Sequence, residues 1–299
     1  MTVLDEVRST CAAIAASARF VHINTHELPA YAASLPLDSL RAPQLDPATH
    51  YLGEPEATLA YVVTLDAINF GSGYFPHLQK RPGYSGYFTV ASSLKDAWPL
   101  NVQQLRSLSA AQCADIFGQT NPDLAIRELM GLFARALNDL GDLIARKYGG
   151  DFGNLVSAAE HSAERLVSLL LEMPFYQDVG FLKRAQLTAA DLALARVAHF
   201  EDLDKLTIFA DNLVPHVLRV DGVLSYDTNL LERINREELI PSGSQEEREI
   251  RGCALQAVEL LRSQLTGVSS MQLDYLLWNR GQGAAFKAQP RHRTRTVFY

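Results

Sequence analysis

Apolar positions along the chain recur mainly at helical spacing. Residues 3–20 open with an Ala-rich amphipathic pattern, and a second short helix is expected after Asn24 or Thr25, both good caps. In residues 54–70, Ala57, Leu59, Ala60, Val63, Ala67 and Phe70 follow a period near 3.6. Asn121-Pro122 reads as a cap followed by proline at the first helical position. The pattern then runs through Leu129, Phe133, Leu137 and Ile144 to a stop at Gly149-Gly150. Thr188 to Asp191 reads as a variant capping box. Segments 202–219, 227–237, 244–265 and 270–279 complete the predicted helices, with Pro241 to Ser244 as an interhelical loop. The one strand signal is Tyr84 to Ser92, where a small hairpin is expected. No strand–helix alternation and no internal repeat is visible. The pattern predicts an all-α chain over residues 1–299, a single helical domain that two lobes around a cleft would also satisfy.

Composition narrows the function classes. The chain has 299 residues, 47% of them apolar and 20% charged, which excludes a disordered or collagen-like protein. A net charge of −7 argues against holding duplex DNA by global charge. The three cysteines, Cys11, Cys113 and Cys253, have neither metal-ligand nor disulfide-framework spacing. The start at Met1-Thr2-Val3-Leu4-Asp5-Glu6 is acidic where a secretory leader is basic, and no stretch reaches about 18 consecutive apolar residues. A cytoplasmic protein, with no membrane or nucleic-acid partner, is the expectation.

Several superficial motifs fail on context. Gly71-Ser72-Gly73 follows a helical pattern and lacks the Lys-Ser/Thr of a phosphate loop. Gly83-Tyr84-Ser85-Gly86 is one residue short of a nucleophile elbow. His22 and His26 straddle a helix cap, so ordinary surface histidines outweigh a metal site there.

Polar groups inside apolar stretches are more informative. Asn69 and Phe70 lie at a helix end before an aromatic loop, either as a helix terminus with its packing or as a pocket wall. Lys183-Arg184 precedes the predicted helix start, where cations oppose the helix dipole unless an anion lies between; a solvated pair is the plain alternative. Asp211 lies in the apolar run 206–218, either as a part-buried carboxylate beside a kink at Pro215 or as a helix cap. Asp274 and Trp278 are one turn apart on a helix face, suited to a flat hydrogen-bond-donating base or, more plainly, to core and capping duties. The ending Arg291-His292-Arg293-Thr294-Arg295-Thr296-Val297-Phe298-Tyr299 offers cations for a phosphate and closes on apolar residues that suit a docked tail.

Taken together, Asn69-Phe70, Phe181 to Gln186, Phe209-Ala210-Asp211 with Pro215, Leu273-Asp274 with Trp278, and the ending from His292 resemble the queuosine salvage proteins. The resemblance runs from about residue 60 to the end in the same order. It implies a helical fold related to DNA glycosylases without their DNA-binding surface. It also implies hydrolysis of queuosine 5′-phosphate, a small-molecule substrate, to queuine and ribose 5-phosphate, without cofactor or metal. Asp211 would be the catalytic carboxylate. Asn69, Phe70, Lys183, Asp274, Trp278 and Arg293 would contact substrate. Two other readings compete. Leu218 to Val223 distantly resembles the helix–hairpin–helix turn of a base-excision enzyme, against which the acidic charge weighs. A non-catalytic helical nucleotide-binding protein would use Asp211 and Asp274 only as caps.

Overall fold

The computed structural model describes residues 1–40, 44–121 and 123–299. In chain order, helix α1 (Val3–Ala16) leads through strand β1 (Val21–Ile23) and a 3-10 turn at Thr25–Glu27 to α2 (Leu28–Ser34). There follow α3 (Pro55–Ala67), α4 (Gly86–Ala97), α5 (Val102–Leu105), α6 (Ala110–Ile116), α7 (Leu124–Lys147), α8 (Phe152–Ser157), α9 (Ala163–Leu170) and α10 (Lys183–Leu194). After a further 3-10 turn come α11 (Leu213–Val220), β2 (Leu224–Tyr226), α12 (Thr228–Asn235), α13 (Gln245–Arg262), α14 (Ser270–Gly281) and α15 (Ala284–Lys287). The fold is mainly α, as the periodicity predicts.

Local capping chemistry sets most helix starts. Reciprocal capping boxes open α1 at Thr2/Asp5, α5 at Asn101/Gln104, α6 at Ser109/Gln112 and α14 at Ser269/Gln272. Ser244 caps α13 by accepting from the Glu247 amide. Pro122 lies outside the described residues, and the cap of α7 is Asp123, which accepts from Ala125 and Ile126.

Four expectations are corrected. The predicted hairpin at Tyr84–Ser92 is the start of α4: Ser85 accepts from the Phe88 amide at 3.3 Å, and capping overrides the weak strand preference of Tyr, Thr and Val. The only sheet among the described residues is nonlocal, β1 pairing antiparallel with β2 in register Val21↔Tyr226. Thr188 caps nothing; it lies inside α10, its hydroxyl donating to the Arg184 carbonyl at 2.9 Å. Residues 202–219 are not one helix: Leu206 to Ala210 run buried and non-helical, and α11 begins only at Leu213. Pro215 therefore sits in the first turn of α11, where its missing N–H costs nothing, and makes no kink.

The chain divides into two compact units. The first comprises Met1–Pro43, Asp178–Lys183 and Leu203–Arg295. Within it α1 packs on α13, and Gly252 permits the approach, since a Cβ there would lie 2.7 Å from Ile14 Cγ2. Helix α11 packs on α14 in the same manner at Gly281. Buried Glu249 of α13 accepts the amides of Arg19, Phe20 and Val21, which fixes the entry to β1. From Leu218 to Val223 the chain turns from α11 into β2, not into a second helix.

The second unit comprises Gln44–Gln177, Arg184–Asp202 and Thr296–Tyr299. Its axis is α7, whose Leu129, Phe133, Leu137, Leu140 and Ile144 are buried. Helix α3 is buried on nearly every face from Thr58 to Ala67, so it behaves as a core helix. The final residue, Tyr299, is buried and its carbonyl accepts from the Gly71 amide at 2.9 Å, a docked tail as the apolar ending suggests.

Candidate active site

In the first unit, the buried run Leu206–Ala210 delivers Asp211 to the mouth of α11. Asp211 is half-buried, and its Oδ1 accepts from the Leu213 amide at 2.6 Å. Asp211 is thus not the N-cap of α11, which is Asn212; it precedes the cap and holds the first helical amide in a local turn. The turn leaves a carboxylate held in one orientation at a partly open position, which is what catalysis needs.

Asp274 comes from α14 and is only 4% exposed. Its Oδ1 accepts from the Phe209 amide at 2.9 Å, two residues before Asp211. Burial pushes its carboxyl up to about 7, and the charge of Asp211 pushes in the same direction. The Phe209 amide and the Lys183 ammonium pull it back only in part. Lys183, 6% exposed, is the first residue of α10 and thus lies close enough to act on Asp274 through space. It follows Leu182, which is held in the left-handed region at φ +52°. The Lys183 amide donates to Asp178 Oδ2 at 3.2 Å. Trp278, one turn beyond Asp274 on α14, is half-buried. The structure thus brings together Asp211, Asp274 and Lys183, with Trp278 on the same helix as Asp274.

Arg293 forms a two-pronged pair with Glu237, at 3.1 and 3.0 Å, so its charge is already matched. The tail arginine whose charge bears on Asp211 is Arg291: desolvation lowers its pKa and the Asp211 carboxylate opposes that fall. Asn69 and Phe70 belong to the second unit, just past α3. Asn69 donates to Asp66 Oδ1 at 3.4 Å. Phe70 is a core ring, 2% exposed, edge-on to Phe133 and Phe175, with the Arg184 guanidinium 4.9 Å from its centroid.

Arg184 is a structural cation, not a solvated one. It donates to the Asp66, Ala67 and Phe175 carbonyls and so closes the C-terminal end of α3. Among the described residues no group of His, Cys, Asp or Glu is arranged to hold a metal ion. Burial drives the thiols of Cys11, Cys113 and Cys253 up to about 12, which leaves them poor nucleophiles.

A sequence model of the queuosine salvage protein family matches residues 49–299. The chain belongs to that family. Curated relatives include the queuosine 5′-phosphate N-glycosylase/hydrolase of Sphaerobacter thermophilus, 34% identical over 88% of this chain and 89% of its own. The protein of that name from Mus musculus is 32% identical over 95% of this chain and 97% of its own. That of Dictyostelium discoideum is 29% identical, covering 82% and 79%. The site residues described in the first unit from Asp178 onward all lie within the span matched by the queuosine salvage family.

The sequence reasoning missed Asp178, Arg251 and the electrostatic part of Arg291. Glu247 and Arg251 are four apart on a predicted helix, a spacing that reads as an ordinary surface pair. Yet both are buried, and Arg251 reaches Asp178 at 2.6 Å and the Ala210 carbonyl at 2.8 Å.

The raised Asp274 pKa has a stability consequence. The folded chain keeps this proton where the unfolded chain, near 3.8, releases it. Stability from this group is full below about pH 4 and is lost as pH rises through about 7. Asp274→Asn removes that dependence. Relative to wild type, the variant gains about 3 kcal/mol in unfolding free energy between pH 5 and pH 8. Urea titrations at the two pH values check this, and a constant difference between the proteins contradicts it.

Proposed function

We propose that residues 1–299 form one hydrolase domain that cleaves the N-glycosidic bond of queuosine 5′-phosphate, releasing queuine and ribose 5-phosphate. The observation that carries this reading is the convergence of Asp211, Asp274 and Lys183 in a member of the queuosine salvage family. The relatives' names and the chemistry of the three groups point the same way.

N-glycoside cleavage passes through an oxocarbenium-like sugar, as O-glycoside hydrolysis does. Breaking the bond leaves the electron pair on the base and a cation at C1′. Asp211, fixed by the Leu213 amide, stabilises that cation and takes a proton from the attacking water, whose oxygen bonds to C1′. A 7-deazapurine has no N7 to protonate, so the departing charge must be met elsewhere on the base. Asp274 fits because burial favours its protonated form, which donates to the base edge. Trp278 offers a ring beside it, and Lys183 the cation for the 5′-phosphate. The substrate is a small molecule; a net charge of −7 gives no support to a nucleic-acid partner. Cys11, Cys113 and Cys253 are free thiols, which supports a reducing, cytoplasmic setting.

Chromatography of free queuine after incubation with queuosine 5′-phosphate, queuosine and guanosine 5′-phosphate tests the reading. Release from the queuosine substrates alone is expected, and none from any substrate refutes it. Asp211→Asn keeps the fold and substrate affinity but lowers turnover at least ~10³-fold, about 4 kcal/mol of barrier. Wild-type turnover in that variant removes Asp211 from its role. Lys183→Ala lowers kcat/KM for the 5′-phosphate about 30-fold, the scale of one charge-assisted hydrogen bond, and barely affects the nucleoside. Equal losses on both substrates refute the phosphate contact.

A further inference from the structure

The Asp211 segment is gripped from two sides by buried charge. On one side Asp274 Oδ1 holds the Phe209 amide. On the other, Arg251 Nε donates to the Ala210 carbonyl at 2.8 Å. The remaining nitrogens of the same guanidinium go to Asp178, at 2.9 Å to Oδ1 and 2.6 Å to Oδ2, and to Glu247 Oε1 at 3.4 Å. Its flat face lies over the Phe181 ring, 3.9 Å from the centroid. Asp178 Oδ2 also accepts the Lys183 amide, and the Asp178 carbonyl accepts from Phe181 and Leu182. One cation therefore fastens the peptide before Asp211 and the turn that presents Lys183.

We propose that Arg251, with Asp178, is a positioning residue for catalysis: its fork fixes the Asp211 carboxylate and the Lys183 turn in one geometry. Neither residue needs to touch substrate, and both are 2–3% exposed. The inference rests on the hydrolase reading. It goes beyond that reading by assigning the rigidity of the site to one guanidinium. The chemistry requires arginine. A lysine ammonium supplies charge but cannot present parallel donors to a carboxylate while a third donor reaches a carbonyl.

Arg251→Lys tests this, because the charge is kept and Asp178 and Glu247 are not left uncompensated. Glu249→Gln is the control: Glu249 is equally buried on α13, but it serves the β1 entry. Arg251→Lys is expected to lower kcat on queuosine 5′-phosphate at least ~30-fold per folded molecule, with KM changed less than ~3-fold. Glu249→Gln is expected to lower the melting temperature and leave kcat near wild type. A kcat near wild type in Arg251→Lys overturns the proposal. An inactive wild-type protein would instead overturn the hydrolase reading. Amide hydrogen exchange then decides the positioning on its own. Arg251→Lys accelerates the Phe209 and Leu213 amides, whose acceptors are the two carboxylates, at least tenfold, while α7 amides stay at wild-type rates. Uniform acceleration, or none, leaves Arg251 a merely structural residue and overturns the proposal.

Discussion

Arg251 is a cation with almost no water around it, and much of the first unit is arranged to make that tolerable. Removing a guanidinium from water is costly unless each donor finds an acceptor. Here two carboxylates, one carbonyl and one aromatic face supply the match. These partners come from three places in the sequence: the 178–181 turn, Ala210, and the preceding turn of α13. Such a cation can be buried only once those segments have met. Its hydrogen bonds therefore specify the arrangement as much as they stabilise it.

The same low-dielectric surroundings govern the carboxylates. Burial drives Asp274 toward its neutral form, and the charge of Asp211 adds to that drive. The environments of two chemically identical groups are thus pushed apart, one half-open and one sealed. In the proposed hydrolysis that asymmetry assigns the sugar cation to one carboxylate and the departing base to the other. Lys183 limits the effect, since its ammonium favours the ionised form of Asp274.

Much of this was legible in the residues, for reasons that are local. Apolar period is a local signal, so α1, α7, α13 and α14 are legible within a few residues of their ends. Asp211, Asp274 and Lys183 stood out as charges inside apolar runs. The 206–210 run is not legible, because an unbroken apolar stretch is compatible with either period and nothing local separates them. The partners of Phe70 and Arg293 are not legible locally for a different reason: burial and ion pairing depend on residues far away in sequence, Phe133 and Glu237. The tail is extended, and His292, Thr294 and Thr296 alternate inward. That spacing of two was visible, but its phase relative to the site was not.

The first unit is assembled from both ends of the chain. Strand β1 at residues 21–23 pairs with residues 224–226, and α1 rests on a helix that begins at residue 245. During synthesis α1 leaves the ribosome roughly 10–50 s before α13 exists, at about 5–20 residues per second. For that interval the apolar stripe of Leu4, Val7 and Cys11 lacks the α13 face on which it finally packs. The second unit, encoded mostly by one continuous stretch, can close in the meantime. Vectorial translation thus separates the making of this apolar helix face from the making of the helix that covers it in the finished molecule.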